Sequence, residues 1–467
     1  MRTRRILLSL VAVCLLAATA CGARLNKEQV AALAANGGAA AADGTGAPAA
    51  DQGAASDAGS GSTVPGADAG GTTVPGAQPG VTTPGGAVGG AKCVAAPGSK
   101  DPGVSDTEVK LGNVSTISGP IPGFGQTGVN AVKAYFNYIN SQGGVCGRKL
   151  TLVASDDRLD AGANRSETDR LKNEVLGFVG GTTVVDDGGT AALAGTGIAD
   201  CGLAIGAASI ASPTKFSPNP IDPSGKTNGT TNMWAYFKAT RGISKVAIVY
   251  PAQADARQRG QAYAGDIQAA GLAVDGPFEV AVTETNYAGV ATKIKTDGAD
   301  AVITTLEVNG MARLSQAFTQ VGYTPKVPFY GAQAYGQQFL KLAGASANGT
   351  VLGLTYSIFE DAPNNKAMAA FVEWYKRTNP GSNPDFFSIM SWGAADMYVQ
   401  ALQQAGPAPT RAAVLKALQG FTTFDAHGLM SPRNPPGKSI GNQFMVVEIK
   451  DGKWVRTYPA SGFGTGA

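Results

Sequence analysis

Between residues 104 and 458 short runs of aliphatic and β-branched residues alternate with longer stretches in which apolar residues recur every three or four positions. That pattern predicts strands interleaved with amphipathic helices. Residues 109–114 read as a strand, 128–139 as a helix burying Val129, Val132, Tyr135, Phe136 and Ile139, and 149–154 as a second strand. Gly143-Gly144 ends the helix between them. A helix opened by Asp160 and running to about 176, a strand at 178–180, a helix at 190–199 and a strand at 203–206 complete a first series. Units of about 30 residues of this kind imply right-handed parallel crossovers.

A Pro- and Asn-rich stretch, 213–232, separates this series from a second. There the pattern predicts strands at 246–250, 278–282, 301–306, 327–330 and 351–355, with helices at 260–270, 287–295 and 311–321. Two longer helices follow at 366–377 and 388–405, and a hairpin at 444–449 and 453–458 turns on Asp451-Gly452. The expected class is α/β. A folded part of about 370 residues suggests two lobes, each with its own core.

The amino-terminal residues have a different character. Arg2, Arg4 and Arg5 precede an apolar stretch over 6–16 that is too short to span a bilayer, so residues 1–20 read as a signal peptide. Ala18-Thr19-Ala20-Cys21 resembles the bacterial lipoprotein box, which implies cleavage before Cys21 and its lipidation. An ordinary secretory signal is the alternative; general secretion is the default route, and Arg4-Arg5 also permits twin-arginine export. Residues 21–92 then read as a lipidated cysteine and a linker of Ala, Gly, Thr, Pro and Asp, with no Lys or Arg between Lys27 and Lys92. A flexible coil of that length reaches roughly 45–50 Å. Thr-Val-Pro-Gly-Ala occurs twice in it, at 63–67 and 73–77.

Composition narrows the chemistry. A net charge of +3 without a long basic run argues against a nucleic-acid partner. The single histidine, His427, leaves no second histidine for a metal site and makes a Ser-His-Asp triad hard to assemble, and it is expected to be a structural or surface residue. No cysteine pair has zinc-ligand spacing, so no metal is expected. One motif points elsewhere: residues 123–128 match G-x-G-x-x-G, with Asp156 and Asp157 after the next strand, the pattern of an NAD-dependent dehydrogenase. Residues 115–122, two of them prolines, separate those glycines from the strand, whereas a pyrophosphate site needs them at its end.

The same region resembles the periplasmic leucine/isoleucine/valine-binding protein family. The likeness rests on Lys110-Leu111-Gly112-Asn113-Val114, Ile117-Ser118-Gly119-Pro120, Phe124-Gly125, the run Ile-Asn-Ser-Gln-Gly-Gly-Val-Cys-Gly-Arg-Lys-Leu at 139–150, and Asp156-Asp157. It extends more loosely over 104–458. The resemblance implies two Rossmann-like lobes with parallel sheets joined by a three-strand hinge, a type I periplasmic-binding-protein fold. Lobe 1 would comprise 104–238 and 358–440, and lobe 2 would comprise 239–357 and 441–460. It further implies a monomeric, non-catalytic solute-binding protein without cofactor, anchored outside the cytoplasmic membrane and delivering an amino acid or related small polar molecule to an ABC permease. A sensory receptor with the same cleft shares every local feature.

Mapped onto this chain, the resemblance puts a ligand carboxylate at the loops after Gly180 and Gly206, where Thr182, Thr183 and Ser209 offer hydroxyls, with Ser118 and Phe124 in the first loop. Capping is the competing role for the hydroxyls, core packing for Phe124. In lobe 2, Gln333 stands where leucine-binding members have a glutamate for the ligand ammonium, and Glu307 is the nearby acid that offers a carboxylate instead. Asp186-Asp187 add charge that a leucine pocket does not need, so branched-chain specificity is not expected. With the strand order 2-1-3-4, Cys146 and Cys201 lie about 14 Å apart. The favoured disulfide is then Cys93 with Cys146, with Cys146 and Cys201 as the alternative.

Overall fold

The computed structural model describes residues 93–97, 99, 101–119 and 125–466, apart from the side chains of 254 and 255. The signal segment 1–20, Cys21, the linker to residue 92 and Phe124 lie outside the described residues.

Strands β1 (Glu108–Ser115), β2 (Lys149–Asp156), β3 (Phe178–Val179), β4 (Asp200–Cys201) and β5 (Lys215–Phe216) form one sheet in the order β2-β1-β3-β4-β5, all parallel. Alternation along β1 sends Val109 and Leu111 to one face, against Val132 and Phe136 of α1 (Gln126–Ser141). Val114 goes to the other, with Leu171 of α2 (Ala161–Leu171) and Leu193 of α3 (Asp187–Leu193). A fourth, one-turn helix, α4 (Ala207–Ala211), precedes β5.

The second sheet runs β12-β11-β10-β9-β8-β6-β7. Its strands are β6 (Lys245–Pro251), β7 (Ala273–Val280), β8 (Ala301–Thr304), β9 (Val327–Tyr330), β10 (Val351–Leu354), β11 (Met445–Lys450) and β12 (Lys453–Tyr458), parallel except for the last two. Val246, Ile248 and Tyr250 of β6 pack on α5 (Thr231–Arg241) and α6 (Ala254–Ala269). Ala247 and Val249 face α7 (Ala288–Asp297), α8 (Val308–Gln320) and α9 (Gln337–Ala343). The chain then returns to the first sheet through α10 (Lys366–Thr378), α11 (Phe386–Ala405) and α12 (Arg411–Gln419), with α10 and α11 against α1.

Several expectations shift. The strand expected at 203–206 forms at Asp200–Cys201, because Asp200 must sit beside Lys215 of β5, 2.7 Å away and buried. The helix expected at 190–199 spans Asp187–Leu193. Helix α5, counted with lobe 1 up to 238, packs on the second sheet: Trp234 lies 5.2 Å from Phe329 of β9, ring to ring. Cys93 and Cys146 form a disulfide with Cα atoms 4.7 Å apart, while Cys201 is buried and free, so the alternative Cys146–Cys201 pairing does not form.

Candidate functional site

Parallel strands share a carboxyl edge, and in both sheets that edge meets the other half of the molecule. β5 ends at Phe216 and runs into residues 217–219, and β10 ends at Leu354 and runs into 355–357. A third segment, 429–433, pairs with the second: Ser357 N donates to Leu429 O at 2.8 Å and Ser431 N to Thr355 O at 2.9 Å. Arg433, only 3 % exposed, ties all three together. Its guanidinium donates to Pro218 O (2.9 Å), Asn219 Oδ1 (2.8 Å), Thr355 O (2.7 Å), Ser431 O (3.0 Å) and Ser431 Oγ (2.8 Å). Every partner is neutral, and burial pushes its pKa down to about 10.

On the first sheet the edge is closely self-satisfied. Thr116 Oγ1 donates to Asp157 Oδ1 (2.7 Å) and lies 3.0 Å from Thr183 Oγ1. Thr182 is buried, its hydroxyl turned to Gly180 O and Ser391 Oγ. Ser118 is exposed and its hydroxyl donates to Asp156. Partial burial works to raise the Asp156 pKa, but donors from Ser118, Arg158 and Ile117 bring it to about 2.

The amides after β4 are taken as well. Asp186 accepts from Ile205 N and Gly206 N, both at 2.9 Å, and Asp187 accepts from Ser209 N at 2.9 Å. The chain's own carboxylates thus occupy the seat expected for a ligand's. Ser209 Oγ is buried without a hydrogen-bond partner.

On the second sheet Glu307 is the N-cap of α8, accepting from Asn309 N (2.7 Å), Gly310 N (2.5 Å) and Asn309 Nδ2 (2.9 Å). Gln333 is exposed and folds back to donate to Leu306 O at 3.2 Å. Sequence reasoning therefore placed Ser118, Thr182, Thr183 and Ser209 on one carboxyl edge and Glu307 and Gln333 on the other; most of those side chains are spent on the chain itself.

Where the crossovers meet the second sheet there is a cleft of about 930 Å³, its open mouth included. It is walled by Asn219 and Ile221 of the first crossover, Arg259 and Tyr263 of α6, the ends of β9 and β10 with Thr355 and Tyr356, Phe386 of α11, and residues 440–444. None of the described side chains singled out from the sequence is among its lining residues. A family model described as "Periplasmic binding protein" matches residues 108–453. The chain belongs to the periplasmic binding protein family.

Relatives of this binding protein agree in fold. The chain is 21 % identical over 358 residues to a Leu/Ile/Val-binding protein homolog 3 from Brucella melitensis, covering 74 % of this chain and 93 % of the relative. A fatty acid ABC transporter substrate-binding protein from Thermomonospora curvata superposes with a TM-score of 0.65 at 19 % identity, over 80 % of this chain and 96 % of that one. A branched-chain amino acid transporter substrate-binding protein from Streptococcus pneumoniae, in complex with isoleucine, does so with a TM-score of 0.61 at 16 % identity, over 75 % and 100 %.

In this binding protein the crossover residues Asn219, Thr355 and Arg433 escaped sequence reasoning because each acts across more than 70 positions. The one local signal was the Pro- and Asn-rich composition of 213–232. Among the described residues no group of three or more His, Cys, Asp and Glu is placed to hold a metal ion, and no helix is long and apolar enough to cross a membrane.

Proposed function

We propose that the chain is an extracytoplasmic solute-binding protein, lipid-anchored through Cys21, that captures an amino acid or related small molecule between its two halves and presents it to an ABC permease. Catalysis forms no part of this reading. The observation that carries it is architectural: two largely parallel sheets are joined by three chain segments, two of which leave from strand carboxyl ends, and a cleft lies beside these crossings. Ligands of open α/β sheets bind at such edges, and closing two of them over a solute excludes water and strengthens each polar contact. The structural relatives include a fatty acid transporter's substrate-binding protein and one in complex with isoleucine, which makes both classes candidates here.

A thermal-shift screen of the folded part against amino acids, amides, polyamines, short peptides and small carboxylates tests the binding. One class is expected to raise the melting temperature in a saturable way; a flat response across the panel would reject the reading. Metabolic labelling with a clickable fatty acid tests the anchor, with label expected on the wild type and lost in Cys21→Ala.

A further inference from the structure

Charge on the cleft's described lining is one-sided: Arg259 is the single charged side chain among those residues. Behind Asn219 and Thr355 lies Arg433, a buried cation with only neutral partners, whose field is weakly screened by the protein around it. Arg433 also orients the wall: Asn219 Oδ1 accepts from it, so the Asn219 amide keeps its two N–H donors for other partners. Two acids lie behind the lining: Asp266 accepts five hydrogen bonds from Thr227, Asn228, Thr230 and Thr231, and Asp385, beside Phe386, accepts from Thr127 Oγ1 and Ser388 N. Between the polar groups the walls are apolar, with Ile221, Met233, Phe329, Phe386, Ile440 and Phe444.

The remaining sheet edges repel the same kind of solute. Asp186 and Asp187 already fill the amides after β4, and Glu307 is engaged as a helix cap, so neither edge offers a seat to a second carboxylate. We infer that the solute is an amphipathic anion, a carboxylate carrying an apolar chain, whose charge is received at the crossover end of the cleft by Arg259 and the Asn219 amide. This rests on the solute-binding reading and narrows it. An ammonium finds no acid among the described lining residues, so a zwitterion gains nothing there from its second charge and keeps the cost of desolvating it.

Four probes on one carbon skeleton separate the possibilities: 4-methylpentanoate, leucine, 4-methylpentanamide and isoamylamine, titrated calorimetrically into the folded part near pH 7.5. The carboxylate is expected to bind at least tenfold more tightly than each of the other three. Arg259→Gln, a substitution at an exposed position, should weaken the carboxylate about tenfold, and Arg259→Lys should restore part of the loss. Leucine or the amine binding as tightly as the carboxylate, or Arg259→Gln leaving its affinity unchanged, overturns the proposal while leaving the solute-binding reading in place. Failure of all four together with the wider panel overturns both.

Discussion

Arg433 shows how one side chain can set the geometry of a hinge. Its five donors reach all three crossing segments, and its removal would strand Pro218 O and Ser431 O in the interior. Each such group costs about 1–3 kcal/mol, so Arg433→Met is expected to lower the free energy of unfolding by about 2–5 kcal/mol, read from urea titrations. A second residue-level test concerns His427, which lies 3.2 Å from the nearly buried Asp396. The hydrogen bond to Asp396 raises its pKa above 6.5 while burial opposes the shift. A raised histidine stabilises the fold fully below the unfolded pKa, and that contribution is lost as pH climbs through the folded value. The melting temperatures of wild type and His427→Gln should therefore differ most near pH 6 and converge near pH 9; a gap that widens with pH would refute the pairing. These two residues mark the limits of reading single positions. His427 was legible as structural because one histidine builds little else, whereas nothing local distinguishes Arg433 from a surface arginine.

Elements were legible where their periodicity was long. β6 and β8 bury both faces and appear as nearly unbroken apolar runs, and α1 and α8 carry stripes that no loop would show. The elements that escaped are short or interrupted. β5 has two residues, and α5 hides Met233, Trp234 and Phe237 directly after the Pro- and Asn-rich stretch. α12 is opened by Thr410, whose hydroxyl accepts from Ala413 N, but it shows only Val414 and Leu418 to the core. The partners of the candidate hydroxyls were illegible for the same kind of reason: a sequence places Thr182 at a strand end but does not say that Ser391, 209 positions away, will pair with its hydroxyl. Gly128 makes the contact visible. A side chain there would run into Thr182 Oγ1 and, at 2.7 Å, Ser391 Oγ, so α1 sits against this loop only because Gly128 lacks a Cβ. Gly128→Val should cost about 1–3 kcal/mol through overpacking, measured by chemical denaturation, whereas Gly143→Ala, where nothing lies within 4 Å, tests only the positive φ of 98°.

At the scale of the whole molecule, the two halves share a core besides the apolar clusters confined to each. A chain of aromatic rings runs from the last strand of the second sheet into the first: Trp454 to Tyr335 at 5.7 Å, Tyr335 to Phe359 at 5.2 Å, Phe359 to Phe371 at 6.2 Å, Phe371 to Trp392 at 5.2 Å, and Trp392 to Tyr135 of α1 at 4.9 Å. Such pairs contribute about 0.5–1.5 kcal/mol each beyond their buried area, and here they belong to one apolar cluster spanning both sheets. Cooperative unfolding depends on neither half being stable once the other has opened. The continuous cluster therefore predicts a single transition for the ligand-free protein, with far- and near-ultraviolet circular dichroism falling together in urea. Phe371 is the link to cut, because it is fully buried and joins the segment after β10 to α11. Phe371→Ala should cost about 3–5 kcal/mol and separate the two signals, since each half would then keep its sheet but lose its purchase on the other. A variant equally destabilised but still unfolding in one step would place the coupling in the three crossovers and Arg433 instead. A bound solute touching both halves would then restore coincidence in Phe371→Ala, adding about 2.7 kcal/mol at a hundredfold excess over its dissociation constant.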